Sequence, residues 1–277
     1  MKKIVLLVLI AAVFLSVVSA FAAPEAKYSE DLVVGHSQGN RELNCTVMRP
    51  WDELTGPGNN QYPVIVWANG WGGGLEDKEA TTEWYKEWLI EWVLDGPYIV
   101  IAANQWSVRE SDVLQCLEWI LDQNATAGSE YEDVLITDKI ALAGHSQGGG
   151  AVVFAGDGVG DGFDFEINSV VAMNPWGPNW VGAESQDGPV MVVTGELDET
   201  TPEKYTYPVY EAIQTNGIGG LYAMLDDAAH NDVGLYQEVV MLWWQYRLND
   251  KDNAGKKLKR IISKDPWATL YADPFEF

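Results

Sequence analysis

The sequence predicts an α/β fold, a mainly parallel central sheet flanked by helices on both faces and without a lid domain. Three observations predict it. Short apolar runs alternate with longer helical segments between residues 63 and 247, and repeated strand–helix units build parallel sheets that are covered on both sides. Gly144-His145-Ser146-Gln147-Gly148 joins an apolar run to a segment of small residues, as a tight strand-to-helix turn requires. After that turn only residues 174–188 separate two successive strand-like runs. A segment of that length makes a loop, not a lid.

The elements follow in order. Residues 43–48 form an early strand and 63–68 the first buried apolar strand, and 79–94 read as a helix. Trp84, Trp88 and Trp92 recur every four residues there and are expected to mark its buried face. Residues 98–103 are the next strand, 111–124 the next helix, and 139–143 the strand that enters the turn at Ser146. Small residues from Gly149 to Ala155 continue as a helix, and 168–173, 189–193 and 221–225 read as later strands. Helices at 203–215 and 233–247 surround the last of these. No repeat or linker divides residues 23–277, which are read as one domain.

The first residues read as an export signal. Lys2 and Lys3 precede an apolar stretch from Ile4 to Val18, and Ala20-Phe21-Ala22 is a small-x-small cleavage site. Residues 1–22 are therefore expected to be removed and the protein secreted, to the medium or a periplasm, without a stable membrane anchor. The formal net charge of −24 becomes more negative once those lysines are gone, and such a surface repels nucleic acid. The basic cluster at residues 256–260 is expected to be a solvated helix face. Cys45 and Cys116 are the only cysteines, expected as two buried free thiols, although export permits pairing. Asn44 and Asn124 begin glycosylation sequons, which matter only in a eukaryotic host. The acidic loop at residues 157–166 departs from the helix–loop–helix calcium spacing, so no metal is assigned.

Gly-His-Ser-Gln-Gly occurs twice, at residues 35–39 and 144–148. Gly-x-Ser-x-Gly is the pattern of a nucleophile elbow, which needs a strand before it and a helix after it. The second copy has both. The first leads from Asn40 straight into another strand-like run and is read as a hairpin turn. Ser146 is thus the candidate nucleophile, and it needs a base. Of three histidines, His36 lies in the first copy and His145 adjoins Ser146 pointing elsewhere, as a packed polar residue. His230 remains as the base. Asp198, beyond the strand at 189–193, is the carboxylate expected to orient it, with Glu196, Glu199, Asp226 and Asp227 as nearby competitors. Backbone N–H groups of Gln147 and of Trp71, in the glycine-rich loop at 69–74, are the expected oxyanion donors.

These motifs resemble the secreted polyester hydrolase and cutinase-like branch of the dienelactone hydrolase superfamily, whose members have the α/β-hydrolase fold. The likeness runs from about residue 63 to residue 247. Residues 144–149 resemble that family's Gly-His-Ser-Met-Gly-Gly motif. Asn174-Pro175-Trp176 followed by Trp180 resembles its Pro-Trp segment, residues 196–202 its acid loop, and Ala229-His230 its base loop. The resemblance implies Ser146 as nucleophile, Asp198 as acid and His230 as base. It makes Trp71 a cleft wall as well as an oxyanion donor, and Trp176 a flank of the acyl group. Gln147 replaces a methionine, and the family's C-terminal cysteine pair is absent.

The expectation is a serine hydrolase acting on carboxylic esters of short or aromatic acyl groups, with polyesters among the candidate substrates, as a monomer and without a cofactor. Its partner is an ester substrate, small or polymeric. A small-ester or acetylxylan esterase, a peptidase, and a non-catalytic exported binding protein stay open as alternatives.

Overall fold

The computed structural model describes residues 25–34, 43–51, 61–72, 80–160, 163–177 and 181–272. Among these, nine strands form one sheet and two short ones form a separate hairpin. In chain order the elements are β1 (Glu25–Val34), β2 (Leu43–Trp51), β3 (Tyr62–Ala68), α1 (Ala80–Asp95), β4 (Ile99–Ala103), α2 (Glu110–Ala125), β5 (Leu135–His145) and α3 (Gln147–Phe154). Then come β6 (Val159–Gly160), β7 (Phe163–Asp164), β8 (Ser169–Met173), β9 (Val190–Gly195), α4 (Glu203–Thr215), β10 (Gly220–Leu225), α5 (Gln237–Arg247), α6 (Asp252–Ile262) and β11 (Trp267–Ala272).

The sheet order is β1-β2-β4-β3-β5-β8-β9-β10-β11. Its central six strands, β4 to β10, are parallel, and β1, β2 and β11 add antiparallel pairings at the two edges. The alternating side chains of β3 explain the two-sided cover. Val64, Val66 and Ala68 face a cluster with Val113, Leu117 and Ile120 of α2, Val152 of α3 and Ile213 of α4. Ile65 and Trp67 face a second cluster with Leu89 and Trp92 of α1, Trp243 and Trp244 of α5 and Leu258 of α6. This is the α/β-hydrolase architecture.

Several elements depart from the sequence reading. Trp84 is 63% exposed, and the buried face of α1 is Tyr85, Leu89, Trp92 and Val93. A repeat of four drifts about 40° per step around a helix of 3.6 residues per turn, so the three tryptophans fan across the face: Trp92 lies in the core, Trp88 is partly buried at its edge and Trp84 falls outside it. The helix expected from Val233 starts instead as a 3-10 turn, Val233–Tyr236, with Leu235 N–H bonded to the Asp232 carbonyl, and becomes α5 only at Gln237. Glycine at position 234 weakens a helical start there. Edge strand β11 has no counterpart in the sequence reading, and β1 enters it only as the arm that a hairpin turn at residues 35–39 implies.

Other readings meet the structure directly. Cys45 and Cys116 are buried free thiols with their sulfurs 2.9 Å apart, and burial pushes the Cys45 thiol well above its ordinary pKa. Lys256, Lys257, Lys259 and Arg260 are exposed on α6, whose Ala254, Leu258 and Ile262 are buried. In the acidic loop, Asp157 accepts bonds from Ser185 Oγ and Val159 N–H. Among the described residues no three His, Cys, Asp or Glu side chains gather as metal ligands, and no helix is long and apolar enough to cross a membrane. Residues 1–24, with the expected signal, and the first copy of the repeated motif lie outside the described residues. The strands on either side of that copy pair antiparallel, with Val34 opposite Leu43.

The glycines of the second copy are required by packing. A Cβ on Gly148 would run into the carbonyls of Ala68 and Asn69, and one on Gly144 into the backbone of Gly148. Both obstacles are backbone and cannot swing away. Gly148→Ala should therefore lower stability by about 2 kcal/mol or more, read as a lower urea midpoint at unchanged m-value. A midpoint equal to wild type would contradict this packing.

Candidate active site

The sheet brings the candidate residues to one rim. Trp71 follows β3, Ser146 follows β5, Trp176 follows β8, Asp198 follows β9 and His230 follows β10, all at the carboxyl ends of neighbouring parallel strands. Ligand sites of open α/β sheets lie at this edge.

Ser146 sits at φ 55°, ψ −121°, a conformation that costs a non-glycine residue on the order of 1–3 kcal/mol. Three backbone hydrogen bonds hold it there. Its N–H donates to the Met173 carbonyl at 2.9 Å, and its own carbonyl accepts the N–H groups of Gly150 at 3.0 Å and Trp176 at 2.8 Å. The side chain is thereby lifted off the sheet end toward His230, whose Nε2 is 3.0 Å from Ser146 Oγ. On the other side of the ring, His230 Nδ1 is 2.8 Å from Asp198 Oδ2. Ser146, His230 and Asp198 thus form one hydrogen-bonded row.

Asp198 is 2% exposed, whereas its competitors Glu196, Glu199, Asp226 and Asp227 are all exposed. Its Oδ1 accepts the N–H groups of Thr200 at 2.9 Å and Thr201 at 2.7 Å, and its Oδ2 lies 2.7 Å from Thr201 Oγ1. Burial opposes its charge, but the bonds from His230 and from the Thr201 N–H and hydroxyl outweigh that and hold its pKa below the ordinary value. Glu196 instead accepts the Asp227 N–H at 3.3 Å and joins the acid and base loops.

The Trp71 loop passes close to the serine. A Cβ on Gly70 would lie 3.3 Å from Ser146 Cβ. The loop is held by Asn69, which accepts the Trp67 indole N–H at 2.7 Å and donates to the Ala103 carbonyl at 2.9 Å, and by Gly72 N–H on the Trp106 carbonyl at 3.1 Å. Residues 73 and 74 of the glycine run lie outside the described residues. Gln147 is the first residue of α3, where backbone N–H groups have no partner within the helix. Its side chain donates to Ser107 Oγ at 2.7 Å, tying the elbow to the β4–α2 loop.

Two tryptophans stand open at the rim, Trp71 at 63% and Trp176 at 45% exposure. Trp71 meets Trp106 edge to face, 6.3 Å between centroids. Trp176 borders a cleft of about 420 Å³ with Gln147, Val108, Arg109, Glu110 and Phe154. Between Asn174 and Gly188 the described residues hold only the 3-10 turn Val181–Glu184; Trp180 lies outside them.

His145 does not bond Ser146. It is buried, its Nδ1 2.7 Å from the Tyr85 hydroxyl and its Nε2 2.9 Å from the His230 carbonyl oxygen. Burial, then the nearby His230, push its pKa down to about 3. Sequence reasoning missed Tyr85, Trp106, Asn174 and Thr201 as parts of the site. Asn174 and Thr201 lay inside the segments singled out for their neighbours. Tyr85 and Trp106 carry no motif at all.

A family model described as PET hydrolase-like matches residues 94–267. The chain belongs to the PET hydrolase-like family, a group of ester-hydrolysing α/β-hydrolases. No curated protein matches the sequence. The family match takes in Ser146, Gln147, Trp176, Asp198 and His230, and leaves Trp71 and Tyr85 outside it.

The buried His145 links acidity to stability. In the unfolded chain it binds a proton below about pH 6.5, but in the folded protein only near pH 3. Between those values the unfolded state holds the extra proton, so stability is full above pH 6.5 and declines as pH falls, by up to about 1.4 kcal/mol per pH unit. The depressed Asp198 acts in the same direction at lower pH, below its ordinary 3.8. Urea midpoints from pH 7 to 4 should fall in wild type and fall less in His145→Gln. Equal slopes in the two proteins would exclude His145 as the source.

Proposed function

We propose that this protein is an exported serine esterase that cleaves carboxylic esters through an acyl-enzyme. The observation that carries the reading is the row Asp198–His230–Ser146, at 2.8 and 3.0 Å, on the strained turn at the carboxyl edge of the sheet. Ser146 Oγ attacks the ester carbonyl while its proton passes to His230 Nε2. Asp198, charged and buried, keeps Nδ1 of the ring protonated and stabilises the imidazolium that forms. The negative charge on the carbonyl oxygen is taken by the N–H groups of Gln147 and Trp71. The tetrahedral intermediate collapses, the C–O bond to the alcohol breaks, and the alcohol leaves with the proton from His230. Water then repeats the sequence on the acyl-serine, giving its proton to His230 and its oxygen to the acid. Serine is restored, and no cofactor takes part.

The rim supports a preference among esters. A short loop follows Trp176, so little protein closes over a bound acyl chain, and long chains gain little burial. The open faces of Trp71 and Trp176 offer aromatic contact instead, at about 0.5–1.5 kcal/mol beyond area burial. Short or aromatic acyl esters suit such a site, and a polyester segment is able to enter and leave it from both sides. Export rests on Lys2, Lys3 and the apolar run ending in Ala20-Phe21-Ala22. The protein acts on this reading as a monomer whose partner is the ester.

A fluorophosphonate probe should label wild type and Ser37→Ala but not Ser146→Ala. Esterase turnover should drop by several orders of magnitude in Ser146→Ala; wild-type-like turnover there would falsify the assignment and favour a binding role. Trp176→Ala should lower kcat/KM more for an aromatic ester than for an acetate ester. Equal losses on both would remove the aromatic preference.

A further inference from the structure

Tyr85 and His145 make no hydrogen bond to Ser146 Oγ or to the His230 ring, although the His145 ring packs against that of His230 with 4.8 Å between centroids, and both lie buried between the loops of the site. The direction of every hydrogen bond joining them follows from chemistry. The His230 carbonyl oxygen accepts only, so the proton of neutral His145 is on Nε2, 2.9 Å away. Nδ1 is then a lone pair and receives the Tyr85 O–H at 2.7 Å. The Tyr85 oxygen in turn accepts the Gly70 N–H at 3.3 Å. One directed chain runs from the loop of Trp71, through helix α1 and the residue before Ser146, to the backbone of His230.

We propose that Tyr85 and His145 are positioning residues that lock the Trp71 loop, the serine turn and the base loop into one geometry. The inference rests on the reading of Ser146, His230 and Asp198 as the catalytic row. Its substance is where the chain ends. Gly70 precedes Trp71, so the Tyr85 bond sets the height of the Trp71 N–H over the serine. The His230 carbonyl belongs to the base itself, and it accepts a second bond from Asn174 Nδ2 at 2.8 Å. Two donors from different strands therefore pin the backbone of the one residue that must stay within reach of both Ser146 and Asp198. Asn174 continues the bracing, since its Oδ1 accepts the Gly195 N–H at 3.2 Å and the Tyr236 hydroxyl at 3.3 Å.

The chain also keeps its polarity under working conditions. The titratable groups facing His145 are Tyr85 from α1 and His230 and Asp198 from the base and acid loops. A second proton on His145 would turn Nδ1 into a donor aimed at a hydroxyl already donating to it. Burial and His230 oppose that proton, so the directed arrangement persists wherever the esterase works. Tyr85, likewise buried, has its hydroxyl pushed up to about 12 and stays protonated.

Misplacing a reacting group by about 1 Å costs on the order of a hundredfold in rate. Tyr85→Phe, which removes one oxygen, should lower kcat about tenfold and leave KM for p-nitrophenyl acetate within about twofold. His145→Phe keeps a ring between Tyr85 and His230 but donates nothing, and should lose about a hundredfold in kcat. His145→Gln sacrifices the ring but keeps an N–H for the His230 carbonyl, and should recover most of that loss. The double variant Tyr85→Phe/His145→Phe should be no worse than His145→Phe alone, because both interrupt one chain. Circular dichroism and the thermal midpoint establish that each variant is folded, and Tyr85→Phe is mild enough to carry the test if His145→Phe is not. If wild type neither hydrolyses the ester nor takes up a fluorophosphonate, the reading of Ser146 fails first and takes the chain with it. If wild type is active but Tyr85→Phe keeps its kcat within twofold, or His145→Phe outperforms His145→Gln, the positions serve packing alone and the inference is overturned.

Discussion

The backbone of Ser146 is the constraint on which the rest of the rim depends. Left to itself a serine avoids positive φ, so the turn exists only because its surroundings leave no alternative. Met173 accepts its N–H, Gly150 and Trp176 donate to its carbonyl, and the bare Gly144 and Gly148 let α3 pass within backbone contact of β5 and of the end of β3. Two of these partners also belong to other parts of the site. Trp176 is a rim aromatic, and Met173 ends the strand from which Asn174 reaches His230. The strain at one residue is thus balanced by bonds that place the neighbouring loops at the same time.

Much of this was legible in the sequence, for reasons that differ from residue to residue. Strands β3, β4, β8 and β9 are buried on both faces and so read as unbroken apolar runs. Ser146 was distinguished from Ser37 by what flanks it, and His230 by elimination among three histidines. Place after β9 narrows five acids to Glu196, Asp198 and Glu199, the resemblance to the family's acid loop points to Asp198, and the structure separates it from the other four by burial.

What the sequence did not disclose falls into two kinds. Edge strand β11 alternates between more and less buried positions and pairs with one neighbour only, so its apolar signal is weak. Tyr85 and Trp106 matter only because the chain folds back on itself. Tyr85 is 60 residues from His145 in sequence, and nothing local to α1 announces that a hydroxyl there will meet an imidazole. Trp84, beside it, carries the louder pattern and faces outward. A repeat of four drifts slowly across a helix face, so its last member, Trp92, reaches the core while its first, Trp84, does not.

The order of strands has a consequence for anything laid along this edge. Trp71, Ser146, Trp176, Asp198 and His230 are issued in turn by β3, β5, β8, β9 and β10, which are consecutive neighbours in the sheet. Hydrogen-bonded strands stand about 4.8 Å apart, so the five strand ends are laid out over about 19 Å. The spacing is therefore a ruler made of peptide bonds. Loops that lengthen or shorten deepen or flatten the rim locally, but the pitch at which successive groups are offered is set by the ladder beneath and does not change with them.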